Sequence, residues 1–264
     1  RVRRQRQMCI RDRTTDLTAM GGAQYVHTFD KCFFMPSDLT AGLEYNRDRL
    51  KDNMWGYNRH TDQTVNIYSA FLQNEWKNDR WGILIGGRLD KHNMVDNVIF
   101  SPRANLRFNP TQNINLRLSY SSGFRAPQAF DEDMHIENVG GTVAMIERAK
   151  DLKEEKSQSF SVSADMYHRF GAFQTNLLIE GFYTRLTDVF VLGKPYDRGD
   201  GILVKTRSNG PGAKVMGLTL EGKVAYLSIL QIQAGLTLQR SRYDEPHKWH
   251  DDAPAEKKIF RTPD

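Results

Sequence analysis

From Trp81 onward the chain alternates strictly: Trp81, Ile83, Ile85, Gly87 and Leu89 interleave with Gly82, Leu84, Gly86, Arg88 and Asp90. Successive side chains on a strand point to opposite faces, so this period of two predicts a strand with one apolar face. Phe100, Pro102, Ala104, Leu106 and Phe108 repeat the pattern against Ser101, Arg103, Asn105 and Arg107, and Ile114 to Tyr120 repeats it against Asn115 to Ser121. Phe160 to Met166 opposes a run of serines, and Met216, Leu218 and Leu220 oppose Gly217, Thr219 and Glu221. Leu230, Ile232, Ala234, Leu236 and Leu238 alternate cleanly with Gln231, Gln233, Gly235, Thr237 and Gln239. Weaker segments near 22 to 30, 38 to 50, 62 to 76, 172 to 192 and from 257 onward bring the expectation to about eleven strands, and no segment reads as a helix core.

The connections sort by length. Lys77 to Arg80, Asn109 to Gln112, His168 to Gly171 and Leu227 to Ile229 are tight turns. Between them come longer polar stretches at Leu50 to Thr61, Lys91 to Asn97, Gly123 to Glu154, Gly193 to Gly201 and Ser241 to Glu256. An up-and-down meander would place all tight turns at one end and all long loops at the other.

A soluble sandwich or lipocalin-like barrel turns its apolar side to a core and its polar side, rich in Lys and Glu, to water. Here the polar faces carry Ser, Asn, Gln, Thr, Gly and Arg, and a strand as long as 172 to 192 exceeds the usual sandwich length. A transmembrane β-barrel accounts for both, with apolar residues facing lipid and polar residues facing a wet lumen. Trp76 and Trp81 flank one tight turn and Phe170 and Phe173 another, as an interfacial aromatic girdle requires.

Composition narrows the class further. The 264 residues are 39% hydrophobic and 11% aromatic, which is globular rather than disordered. The longest uncharged run, Val224 to Gln239, contains three glutamines and is shorter than the roughly 20 apolar residues a spanning helix needs. The formal charge of +5 sits in residues 1 to 13, which hold six arginines and one aspartate. The remainder is formally neutral, so no nucleic-acid partner is expected. That opening has no apolar core of a secretory signal, and its Met8-Cys-Ile-Arg-Asp-Arg13 resembles a translated sequencing-adapter remnant. It is read as a non-native tail, leaving residues 14 to 264 as the domain and Cys32 as its only cysteine.

Five patches carry a family resemblance. Arg207-Ser-Asn-Gly-Pro-Gly-Ala-Lys-Val-Met-Gly-Leu-Thr-Leu-Glu-Gly222 resembles a barrel strand of TonB-dependent outer-membrane receptors. Ser119 to Gly141, with Gly123-Phe-Arg-Ala-Pro-Gln-Ala-Phe and Ile136-Glu-Asn-Val-Gly-Gly141, is similar to their strand-to-loop junction. Gln73-Asn-Glu-Trp-Lys77, Gly87-Arg-Leu-Asp90 and Ser101-Pro-Arg-Ala104 resemble successive strands, in the family's order. The resemblance implies an all-β, antiparallel up-and-down transmembrane barrel of about 22 strands with a plug in its lumen. It also implies uptake of a scarce ligand, driven by the TonB energy-coupling complex through that plug. Neither plug nor TonB-box is visible and Arg261-Thr-Pro-Asp264 has no terminal aromatic signature, so the expectation is an internal fragment of about 11 of the 22 strands.

Several clusters invite chemistry. Arg103, Arg107 and Arg117 fall on the polar faces of two strands joined by a tight turn, a positive stripe that would hold the plug or steer an anionic ligand. Asp131, Glu132, Asp133, His135 and Glu137 gather carboxylates and an imidazole, but an acidic extracellular loop explains them better than a metal site. With Arg125, the first four are the candidate ligand-contacting residues. His247, His250, Asp251 and Asp252 lie between Pro246 and Pro254 and read as a solvated loop. Gly-x-Ser-x-Gly, Walker, Rossmann and zinc-protease patterns are absent, so no catalytic group, cofactor or metal is expected.

The leading expectation is therefore an outer-membrane receptor for a ferric siderophore or cobalamin. A passive porin-like channel is the first alternative and an outer-membrane hydrolase a more distant one.

Overall fold

The structure, a computed structural model, describes residues 13–55, 59–128, 137–139, 142–199, 202–247 and 255–258. The wall begins with three long strands, β1 (Arg13–Cys32), β2 (Met35–Met54) and β3 (Arg59–Lys77). Then come β4 (Trp81–His92), β5 (Ile99–Thr111) and β6 (Ile114–Arg125). After two short strands, β7 (Glu137–Val139) and β8 (Thr142–Arg148), the wall resumes with β9 (Glu155–Phe170) and β10 (Phe173–Thr187). A second excursion holds β11 (Phe190–Leu192), β12 (Tyr196–Asp197) and β13 (Ile202–Asn209). The last strands are β14 (Ala213–Tyr226), β15 (Leu230–His247) and β16 (Glu256–Lys258).

Eleven strands form one antiparallel sheet in the order β1-β2-β3-β4-β5-β6-β9-β10-β14-β15-β16. The sheet is open, with β1 and β16 as its outer strands. The expected strands and tight turns are all present, together with a further turn at Phe33 and Phe34, which Phe33 makes possible by adopting φ 63°. Antiparallel alternation places the five tight turns at one end of the sheet and the longer connections at the other.

Three expectations change. The segment 172 to 192 is not one strand: β10 stops at Thr187, Asp188 turns into the left-handed region with φ 55°, and β11 leaves the wall. The stretch Leu50 to Thr61 is not a long loop, because β2 and β3 remain paired as far as Met54 opposite Arg59. Finally, Gly123 to Glu154 and Gly193 to Gly201 are not wholly loop. They contribute β7, β8 and β12 to a second sheet of order β11-β13-β8-β7, with β12 paired to β13.

The polarity of the wall is that of a membrane protein. Leu43, Leu72, Ile85, Phe100, Leu118, Val162, Leu218 and Leu236 are all exposed and all share the outward face fixed by the cross-strand register. Asp52, Gln63, Ser69 and Asp90 are buried on the opposite face. On β15 the outward apolar run from Leu230 to Leu238 ends at Arg240, and on β14 the run from Tyr226 to Met216 ends at Lys214. Spans of 9 to 11 tilted residues match a hydrocarbon band about 25 Å tall. Aromatic pairs mark its lower edge: Trp81 stacks on Phe108 at 4.2 Å, and Phe173 meets Tyr226 at 4.9 Å.

Candidate functional site

The concave face of the wall is the candidate site, and its charges fall into two groups. Near the tight turns, Arg107 on β5 and Arg117 on β6 are direct cross-strand neighbours. Like charges so placed repel, and only water or an incoming anion relieves them. Arg107 lies over Gly82, where an added Cβ would come within 3.1 Å of its Nε, and its guanidinium donates to the Asn78 carbonyl at 3.3 Å. Arg117 Nε donates to Asn115 Oδ1 at 2.8 Å. Arg103 sits four residues further up β5, between Gly86 and Ser121, and is exposed to the concave space. The three arginines thus share one face as their spacing predicted.

About 20 Å higher along the strands, Arg88 is held quite differently. Its Nε reaches Asp90 Oδ1 at 2.8 Å, one terminal nitrogen reaches Glu44 Oε2 at 2.6 Å and the other Ser69 Oγ at 2.8 Å. Ser69 in turn donates to the buried Asp90 at 2.5 Å. One cation facing two carboxylates makes this group acidic in balance and internally satisfied. Parity in the sequence put Arg88 and Asp90 on the same face, but the partnership with Glu44 depends on the register of β2 with β3 and has no local signal.

The rim opposite the tight turns has a small apolar core of Val95, Ile99 and Ala126, with Phe124 against it. His92, fully buried, accepts from the Met94 amide at 3.0 Å through Nδ1 and faces Gln128 Oε1 at 3.4 Å through Nε2. Because Nδ1 accepts, Nε2 carries the proton. His92 lies past Lys91, beyond the apolar band, and burial pushes its imidazole below the ordinary histidine range, partly offset by Gln128.

The second sheet is anchored to this rim. Arg148 donates to Gln63 Oε1 on β3 and to the Pro127 carbonyl, both at 2.9 Å. Asn209, at the end of β13, accepts from the Lys153 amide at 2.8 Å and donates to the carbonyls of Lys153 and Asp188 at 3.0 and 2.8 Å. It therefore ties the start of β9 to the departure from β10. Gly212 is required beside it, since an added Cβ would lie 2.8 Å from the Leu186 carbonyl. Met145 and Val204 are buried within the second sheet.

Arg125 ends β6 opposite Glu155, with its guanidinium carbon 5.6 Å from the centre of the Phe190 ring. It stands where the wall meets the second sheet, since the Phe190 amide donates to Glu155 Oε2 at 2.9 Å. Asp131, Glu132, Asp133 and His135 lie outside the described residues, as do His250, Asp251 and Asp252. Among the described residues, no three acidic, histidine or cysteine side chains gather as metal ligands.

An open, outward-apolar sheet with a polar concave face and folded rim excursions defines a membrane barrel wall. Residues 5–264 match the family described as TonB dependent receptor-like, beta-barrel, and the chain belongs to it. The fold is similar to that of the siderophore receptor PirA from Pseudomonas aeruginosa, with a TM-score of 0.74 at 16% identity over 88% of this chain and 44% of that one. It is also similar to the FrpB iron transporter from Neisseria meningitidis, with a TM-score of 0.63 at 16% identity over 87% of this chain and 37% of that one. Among curated proteins, a probable hemoglobin and hemoglobin-haptoglobin-binding protein of Haemophilus influenzae is 23% identical over 76% of this chain and 18% of its own length. The chain thus spans less than half the length of each of these relatives.

Proposed function

We propose that this chain is part of the barrel of an outer-membrane receptor that takes up a scarce, iron-carrying ligand. The uptake would be powered by the TonB complex through a plug inside the barrel. The observation that carries this reading is the pairing of an outward apolar band with a concave face whose free cations cluster at the tight-turn end. Arg103, Arg107 and Arg117, nearest the inner side of the membrane in this orientation, would hold the acidic or carbonyl-rich surface of a plug. Arg125 and the loop residues Asp131, Glu132, Asp133 and His135 would contact ligand on the outer side. The ferric siderophore class is favoured over cobalamin because the relatives named above are described by siderophore, iron and hemoglobin.

Uptake of a labelled ferric siderophore by iron-starved cells that depend on the intact protein tests this. Uptake should stop when a protonophore collapses the inner-membrane gradient, and Arg107→Glu with Arg117→Glu should lower it with the surface level unchanged. Uptake insensitive to the protonophore, with steady ion conductance in planar bilayers, would replace the receptor by a passive channel.

A further inference from the structure

The outward face carries a feature that ligand uptake does not use. Ser122, Gln158, Arg185, Lys214 and Arg242 are successive cross-strand partners on β6, β9, β10, β14 and β15, so they form one level row. The row directly beneath it reads Tyr120, Phe160, Tyr183, Met216 and Arg240, and the next Leu118, Val162, Gly181, Leu218 and Leu238. Polar, aromatic and aliphatic layers therefore succeed one another within two pleats, as at the boundary between headgroups and hydrocarbon.

Three cations stand side by side in the upper row, at the roughly 4.8 Å strand spacing. Adjacent like charges destabilise a sheet unless an anion joins them. Two carboxylates are near: Asp244 holds Lys214 at 2.8 Å and Glu154 holds Lys156 at 3.1 Å. Arg185, Arg240 and Arg242, all exposed, make no ion pair among the described residues.

Beside Arg185 the wall is recessed. A cavity of about 530 Å³ opens on the outward face, with Phe100, Pro102 and Tyr120 lining its apolar part and Ser122, Lys156, Gln158 and Arg185 its polar part; Glu154 also lines it. Concave sites that join an apolar wall to a few convergent polar groups are where amphipathic molecules bind.

We propose that this recess and the adjoining row Arg185–Lys214–Arg242 seat the phosphorylated headgroup of a lipid in the outer leaflet, whose acyl chains lie over the aromatic and aliphatic rows below. Guanidinium groups match phosphate oxygens with paired hydrogen bonds, and removal from bulk water strengthens them. The inference rests on the reading that this face meets lipid and that the tight turns face inward.

The intact protein, purified from membranes in detergent, is mixed with diphosphorylated lipid A, with the same lipid stripped of its phosphates, or with inorganic phosphate, and bound lipid is counted by native mass spectrometry. Diphosphorylated lipid should be retained roughly tenfold more than stripped lipid, consistent with the strength of charge-assisted contacts. Arg185→Gln with Arg242→Gln should remove that preference, whereas Arg47→Gln on the outward face of β2 should keep it. Equal retention of both lipids would overturn the proposal, and so would complete displacement by inorganic phosphate alone, which would mark a simple anion site. A nitroxide at Leu218→Cys separates the two levels of failure. If the label is reached by water-soluble relaxants rather than by oxygen, the lipid-facing assignment itself falls; if it is reached by oxygen and the stripped lipid still binds equally, only the headgroup site falls.

Discussion

The wall and the second sheet are both β-structure, yet they are specified in opposite ways. Eight of the ten pairings in the wall join strands adjacent in the chain, and every one is antiparallel. In the second sheet β8 runs parallel to β13, with Ile202 opposite Val143 and Arg207 opposite Arg148, so its register spans nearly 60 residues of chain. Local turns and a face-wide change of solvent determine the first. The second depends on a few buried side chains and on anchors such as Arg148 and Asn209.

The largest test of that contrast is on the wall. In the intact protein folding into lipid, Leu236→Arg should cost about 2–4 kcal/mol, while Gln233→Arg on the concave face should be nearly neutral. Folding titrations into liposomes measure both, and equal costs would reverse the inside-outside assignment. Val204→Ala should cost about 2 kcal/mol, lost buried methyls plus cavity. That loss should appear as faster amide exchange in β8 and β13 with β14 and β15 unaffected. A uniform rise across the wall would mean that the two sheets open together.

Arg148→Met removes two hydrogen bonds while keeping an aliphatic stem, so it should cost about 1 kcal/mol. Limited proteolysis should then cut more readily in the excursions than in the tight turns; unchanged cleavage would show that the anchor is dispensable. The smallest effect is one of acidity. A buried imidazole held below its ordinary value favours folding above that value, about pH 6.5, and loses its contribution as pH falls below it. Rim amides around Val95 and Ala126 should therefore lose protection on acidification, and His92→Gln should flatten the profile. Identical pH profiles for the two proteins would exclude His92 as the cause.

The same contrast explains what the sequence made legible. Phe100 to Phe108 and Leu230 to Leu238 announce their faces because each outward side chain meets one solvent and each inward one another, so period two persists through the strand. The stripe of Arg103, Arg107 and Arg117 follows from that parity alone. Thr142–Arg148 and Ile202–Asn209 are short, lie within polar stretches and pair in parallel across a long interval, so no turn residue between them signals the contact. Asp188 has a similar lesson: the side-chain pattern runs through to Leu192, and only its left-handed backbone, clamped by Asn209, ends the strand. Glu44 became visible as a partner of Arg88 only once the register of β2, β3 and β4 was known.

The parallel pairing of β8 with β13 also constrains how such a protein diverges. Surface excursions ordinarily accept insertions independently, which lets an exposed receptor change its outer face piece by piece. Here an insertion within Thr142–Arg148 would slide that strand against Ile202–Asn209 and exchange the sides on which Met145 and Val204 are buried. The two excursions are thus tied in their inheritance: length changes are expected between their strands, and a change inside one strand would persist only with a matching change in the other.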